Sequence, residues 1–207
     1  MPNDNNASEN SRRPTEAERE VLLSAVGVPD LFLKARPDQI DHRRFQEALL
    51  AGGGFFYGPT GGGKSHAAAA ILYGRILGYG HTRYNPLADA GCPVAAFAFD
   101  ARWVKVPLWL YDCRQKFKQK HTPDSVRELI CPGLLVLDDL GAEKVTDWVD
   151  EMLYLVVDGR IEANKPIITT TNLTPQELGE RNPRLASRLL TQPRVYFGGE
   201  DKRLKGD

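Results

Sequence analysis

A short apolar run, Phe55-Phe56-Tyr57, breaks into eight residues, Gly58-Pro59-Thr60-Gly61-Gly62-Gly63-Lys64-Ser65, and then into a helix-forming stretch reaching about Leu77. This strand–loop–helix junction constrains the chain more than any other feature. The pattern G-x-x-x-x-G-K-[ST], placed after a strand and opening a helix, is that of a phosphate-binding loop. Glycines permit the tight curl that turns backbone N–H groups inward. The helix beginning near Lys64 adds its positive N-terminal end. Lys64 is expected to reach the β- and γ-phosphates of ATP, and the Ser65 hydroxyl to ligate Mg²⁺. His66 is grouped with the loop, with simple packing in the first helical turn as the alternative.

The rest of the chain alternates in the same way. After the phosphate loop the pattern predicts a strand at Val94–Phe99, a helix from about Val104 to Lys120 and a strand at Leu134–Leu137. A helix over Thr146–Ala163, a strand at Pro166–Thr170 and short helices near Pro175–Leu178 and Arg184–Leu190 follow, with a last strand at Arg194–Phe197. Strands alternating with helices give an α/β domain with a parallel sheet covered on both faces. Residues 1–14, rich in Asn, Ser and Arg, read as a disordered tail. Residues 15–51 read as a short N-terminal helical segment, with Thr15 as N-cap, Glu18 three residues on, and a second helix at Asp41–Ala51. Residues 52–207 read as the main domain.

Composition excludes several classes. The 207 residues suit one domain, and 42% apolar with 26% charged residues leave room for a core. Basic and acidic residues both number 27, which excludes a chain basic overall but not a local basic face. Three scattered cysteines with no C-x-x-C pair argue against a disulfide scaffold or a cysteine-rich zinc site, and fit a reducing cytoplasm. No apolar run approaches the ~20 residues that cross a bilayer. The expectation is a soluble cytoplasmic protein without a membrane partner.

Leu134-Leu135-Val136-Leu137 ends in Asp138-Asp139. In an open parallel sheet, ligands bind beyond the carboxyl ends of the strands, so these acids should lie beside the phosphate loop. Asp138 is the expected Mg²⁺ ligand. Asp139 is the expected general base, with Glu143 as a second candidate. Asn172 ends the next strand in Thr169-Thr170-Thr171-Asn172; it either orients the hydrolytic water or γ-phosphate, or caps the helix before Pro175.

Positive charge is concentrated between Ala101 and His121. Arg102, Lys105, Arg114, Lys116, Lys118 and Lys120 stand against the single acid Asp112, with Trp103, Trp109, Tyr111 and Phe117 interleaved. Such a stretch neutralises backbone phosphates and offers stacking rings to single-stranded DNA. Arg102, Trp103, Lys105, Arg114, Lys116 and Lys118 are the DNA-contact candidates. The alternative is an amphipathic helix with its aromatics in the core and its lysines in solvent.

With these motifs in this order, the chain resembles the AAA+ ATPases, and more narrowly the DnaC/IstB branch of helicase loaders and transposition helpers. The likeness is most specific in Leu137-Asp138-Asp139-Leu140-Gly141-Ala142-Glu143-Lys144 and Pro166-Ile167-Ile168-Thr169-Thr170-Thr171-Asn172. It implies a P-loop NTPase fold, a three-layer sandwich on a mainly parallel five-stranded sheet. It also implies that Asn172 is the sensor residue and that ATP drives assembly into helical or ring-like oligomers. In Asn182-Pro183-Arg184-Leu185-Ala186-Ser187-Arg188 the resemblance marks Arg188 as the arginine finger offered to a neighbouring subunit, with Arg184 one turn earlier. Arg203 lies in a stretch similar to a loader tail in which an arginine approaches nucleotide. Two departures stand out: Asp139 replaces the usual glutamate, and the chain ends soon after the finger helix, so no C-terminal lid domain is expected. The resulting reading is a Mg²⁺-dependent ATPase that binds single-stranded DNA and loads a replicative helicase. The alternatives are a transposition helper that binds duplex DNA and a transposase, and a nucleotide-gated scaffold with negligible turnover.

Overall fold

The computed structural model describes residues 15–40, 43–76, 100–118 and 125–199. Among them five strands form one sheet: β1 (Gly54–Tyr57), β2 (Ala101–Lys105), β3 (Leu134–Leu140), β4 (Ile167–Thr171) and β5 (Arg194–Tyr196). Their order is β2-β3-β4-β1-β5, and every neighbouring pair is parallel. The expected α/β class, with a parallel five-stranded sheet, is what the chain has.

Alternation along each strand divides the core in two. Phe56, Val136 and Ile168 face one side, where α1 (Glu16–Ala25), α2 (Arg43–Ala51) and α3 (Lys64–Ile76) bury Leu23, Phe45 and Ile71. Phe55, Leu135, Leu137 and Ile167 face the other. There they meet α4 (Val106–Lys118), α5 (Ser125–Ile130), α6 (Asp147–Glu162), α7 (Pro175–Arg181) and α8 (Pro183–Leu189). The layers are therefore helix, sheet, helix. Successive side chains of a strand point to opposite faces, so continuous apolar runs such as Leu134–Leu137 are what a doubly covered strand requires.

The strands carrying the site are anchored at their opposite ends. Arg160 on α6 is fully buried, and its guanidinium donates to the carbonyls of Leu129 (2.9 Å), Ile130 (3.1 Å), Pro132 (2.7 Å) and Pro166 (2.8 Å). It thus satisfies the end of α5 and fixes the entries to β3 and β4, for which burial lowers its pKa to about 10.

The strand expected at Val94–Phe99 lies outside the described residues. Elsewhere the structure departs from the sequence reading. The strand that is described, β2, covers Val104 and Lys105, so the helix there starts at Val106 and not at Val104. Helix α5 was not expected; it is only six residues long, too short to show a periodicity. Residues 15–51 share the core of the sheet: Leu22, Leu23, Phe45 and Ala48 cluster with α3, and the Trp103 amide donates to Val26 O across the edge of β2 (2.8 Å). The Thr15 capping box with Glu18 is present as read.

Candidate nucleotide site

The phosphate loop joins the end of β1 to α3. A Cβ on Gly58 (φ +136°) would lie 2.3 Å from the Phe197 carbonyl oxygen, and one on Gly62 would lie 2.5 Å from it. Only glycine lets the curl close against the chain leaving β5. Lys64 is 7% exposed. Its ammonium donates to the carbonyls of Gly58 (2.8 Å) and Pro59 (2.7 Å) and to Oδ1 of Asn172 (2.9 Å). The loop lysine and the residue at the end of β4 therefore touch, through residues far apart in sequence.

Asp138 and Asp139 divide their roles through the backbone. The β3–β4 register shifts between Leu137 and Leu140, and Asp139 takes φ +60°. That left-handed conformation, which Asp tolerates better than most residues, sends the two carboxylates different ways. Asp138 is 1% exposed, and its Oδ1 accepts from Ser65 Oγ and from Thr170 Oγ1, both at 2.7 Å. Burial pushes its carboxyl pKa above the usual range, and the two hydroxyl donors hold it back. Asp139 is half exposed and faces the cleft, with Lys105 Nζ 3.7 Å from its Oδ2. Thr170 serves both neighbours: while donating to Asp138 it accepts from the Asp139 amide (3.0 Å).

Lys64, Ser65, Asp139 and Asn172 line a cleft of about 1130 Å³, with Asp138 buried behind Ser65. One wall is Thr60–His66 with Asp139 and Asn172; the other is Leu31, Phe32, Gln39 and Ile40, brought over by two single-turn helices, with Tyr196–Gly199 closing an end. The arrangement suits a nucleotide triphosphate. A glycine-walled cradle with no room for side chains, a lysine ammonium and the helix N-terminus meet phosphate, and an apolar wall lies opposite. The Ser65 hydroxyl against the Asp138 carboxylate is a hard-oxygen pair suited to Mg²⁺, which takes one or two protein ligands and completes its shell with phosphate and water.

The other predicted residues are placed differently. Glu143 does not line the cleft. Its Oε2 accepts from the Gly141 amide (2.9 Å) and its Oε1 pairs with Arg181 of α7 (2.9 Å), so the carboxylate braces the loop after β3. Arg184 and Arg188 line no part of the cleft of their own chain and stand against α6. Arg203 and Lys120 lie outside the described residues. Trp103 is corrected from a stacking ring to a core residue: it is 4% exposed and 6.2 Å from the ring of Phe32, so no base can reach its faces. Arg102, Lys105, Arg114 and Lys116 are exposed, with Arg114 over the ring of Trp148 (5.1 Å). The Lys118 side chain is outside the described atoms.

The sequence reading missed Thr170 and the wall at Leu31–Ile40. The first had a signal, a threonine run at a strand end beside the acids. The second had none, because single-turn helices carry no period.

No family model matches the chain. Over 161 residues it is 28% identical to the replicative helicase loader DnaI of Bacillus subtilis, covering 73% of this chain and 49% of that protein. Over 119 residues it is 27% identical to an ATP-binding protein in an insertion sequence of Mycobacterium tuberculosis, covering 58% of this chain and 40% of that one. In sequence the chain is similar to the helicase loader DnaI and to an insertion-sequence ATP-binding protein, in line with its resemblance to the DnaC/IstB-like proteins. It spans about half the length of the curated relatives it matches. Among solved structures, a crystal structure of DnaI matches with a TM-score of 0.60 at 21% identity, over 87% of this chain and 99% of that one. The replication initiator DnaA, bound to AMPPCP and single-stranded DNA, matches with a TM-score of 0.60 at 18% identity, over 82% and 51%. The fold is that of an AAA+ P-loop domain. Among the described residues no helix is long and apolar enough to cross a membrane, and no group of three His, Cys, Asp or Glu could hold a metal on its own.

Proposed function

We propose that this chain is the ATPase of a helicase loader: it binds ATP with Mg²⁺, assembles with copies of itself, engages single-stranded DNA and delivers a replicative helicase. The observation that carries the reading is the convergence of three separate motifs on one cleft, through the Lys64–Asn172 and Ser65–Asp138 contacts.

On nucleotide binding, Lys64 exchanges its carbonyl partners for the β- and γ-phosphate oxygens, and the turns around Gly58–Gly63 present amides to them. Ser65 and Asp138 would hold Mg²⁺, which when bound would supply positive charge against the phosphates. Asp139, free to face the cleft, accepts the proton of a water whose oxygen bonds to the γ-phosphorus as the bond to the β-phosphate oxygen breaks. Asn172 orients that water or the γ-phosphate. Arg188 of a second copy balances the charge of the transferring group.

Likeness to DnaI supports the helicase as partner, and the exposed Arg102, Arg114 and Lys116 with Tyr111, 59% exposed, support contact with single-stranded DNA. The insertion-sequence relative favours a second reading, with a transposase and duplex DNA in place of the helicase and single strand. Capture of a purified hexameric helicase in the presence of ATP, together with turnover stimulated by single-stranded DNA, is expected. Capture of the transposase alone, with stimulation by duplex only, would favour the second reading.

A further inference from the structure

Two ladders of side chains, one on α6 and one on α8, meet rung for rung. Tyr154 and Asp158 are one turn apart on α6, and Arg184 and Arg188 are one turn apart on α8. The Arg184 guanidinium carbon lies 4.4 Å over the Tyr154 ring, and Arg188 Nε lies 2.7 Å from Asp158 Oδ1. Tyr154 and the Asp158 carboxylate beside it raise the Arg188 guanidinium pKa. The Asp158 side chain is 20% exposed and that of Arg188 is 43%, so the acid is sunk into the surface while the arginine emerges from it. Neither partner is needed to glue the two helices together. That contact is made by Val149, Leu153, Val156 and Val157 against Leu185, Ala186 and Leu189, all buried.

A free arginine side chain carries about 2 kcal/mol of rotamer entropy, lost whenever it is fixed on a target. Here the loss occurs before any target arrives. Asp158 faces the Nε end of the fork as an ion-pair partner, which leaves the terminal amino groups for a phosphate. The grip comes from behind, through the stem end of the fork.

We infer that Asp158 is a positioning residue that holds Arg188 in the geometry in which it enters the nucleotide site of a second copy. This rests on the reading of Arg188 as a finger in trans. Asp158 acts only in the subunit that gives the arginine, never in the one that holds the nucleotide.

That direction makes the test. A Lys64→Ala subunit keeps its finger but lacks a working site; an Arg188→Ala subunit keeps its site but lacks a finger. Mixed, they restore turnover at interfaces where the first serves the second. Asp158→Asn added to the Lys64→Ala subunit should lower the mixed turnover about 10- to 100-fold, the cost of a misplaced catalytic group. The same change added to the Arg188→Ala subunit should leave it unaltered. Thermal melts and co-sedimentation of each variant check folding and assembly. Equal losses in either subunit would mark Asp158 as merely structural, and no loss in either would also overturn the inference. An Arg188→Ala protein with full turnover, or a mixture that stays inactive, would instead remove the finger reading beneath it.

Discussion

The cleft and the α8 face carry comparable chemistry under opposite conditions. At the cleft the two deepest groups are closed upon the chain itself: Lys64 donates to three acceptors, and Asp138 accepts from two donors at 2.7 Å and is 1% exposed. On α8, Arg188 has one acid behind it and solvent before it. A site satisfied internally can bind as a single copy. A guanidinium held at the surface away from that cleft does not reach its own nucleotide site. On the proposed reading, recognition of nucleotide belongs to one subunit, and acceleration of hydrolysis to a pair.

The sharpest way to break that division is Arg188→Ala. Turnover should fall by ~10³-fold or more, as for other arginine fingers, while ATP affinity of the dilute protein stays unchanged. An equal drop in affinity, read by nucleotide fluorescence titration, would place Arg188 in its own site. Asp139→Asn should cost about 10²–10⁴ in turnover, the range of a general base, again with affinity retained. Undiminished single-turnover hydrolysis would move the base elsewhere, although Glu143 is committed to Gly141 and Arg181.

Lys64→Ala should act on the other half, weakening ATP binding by roughly 10- to 100-fold through loss of charge-assisted bonds. Near-normal affinity by calorimetry would remove the phosphate-loop assignment. The smallest effect is on stability. Asp138 titrates above its ordinary range because it is buried, so the folded state binds its proton more tightly than the unfolded state does. Its charge therefore costs stability that is absent below the unfolded pKa and grows as pH rises through the folded one. Asp138→Asn should keep an acceptor for Ser65 and Thr170 and raise the neutral-pH Tm by roughly 2–4 °C, the shift ~1 kcal/mol gives in a chain of this size. It should also abolish the further rise that ATP with Mg²⁺ gives. A lower Tm would mean that the carboxylate stabilises the empty cleft.

The two regions also differed in how far their residues disclosed them. The phosphate loop and the Asp138-Asp139 pair are contiguous strings whose backbone geometry demands particular residue types, and their strands are apolar runs bounded by glycine. They could be read directly. Trp103 could not, since an aromatic between Arg102 and Val104 looks the same whether it stacks on a base or packs on Phe32. Only the position of β2, beside Val26 and Phe32, decides. Glu143 next to the acids invites a catalytic reading until Arg181, distant in sequence, is seen to hold it. The grip of Asp158 on Arg188 is likewise a contact between helices, and no local pattern encodes it.

The division between cleft and α8 face is tested most directly by turnover per subunit as a function of protein concentration, measured at saturating ATP with Mg²⁺. If the second copy supplies the missing arginine, specific activity should be near zero in dilute protein. It should climb as copies associate and level off once they are paired, and Arg188→Ala should remain flat throughout. Specific activity that is constant from dilute to concentrated protein, at the same level with and without Arg188, would contradict the account.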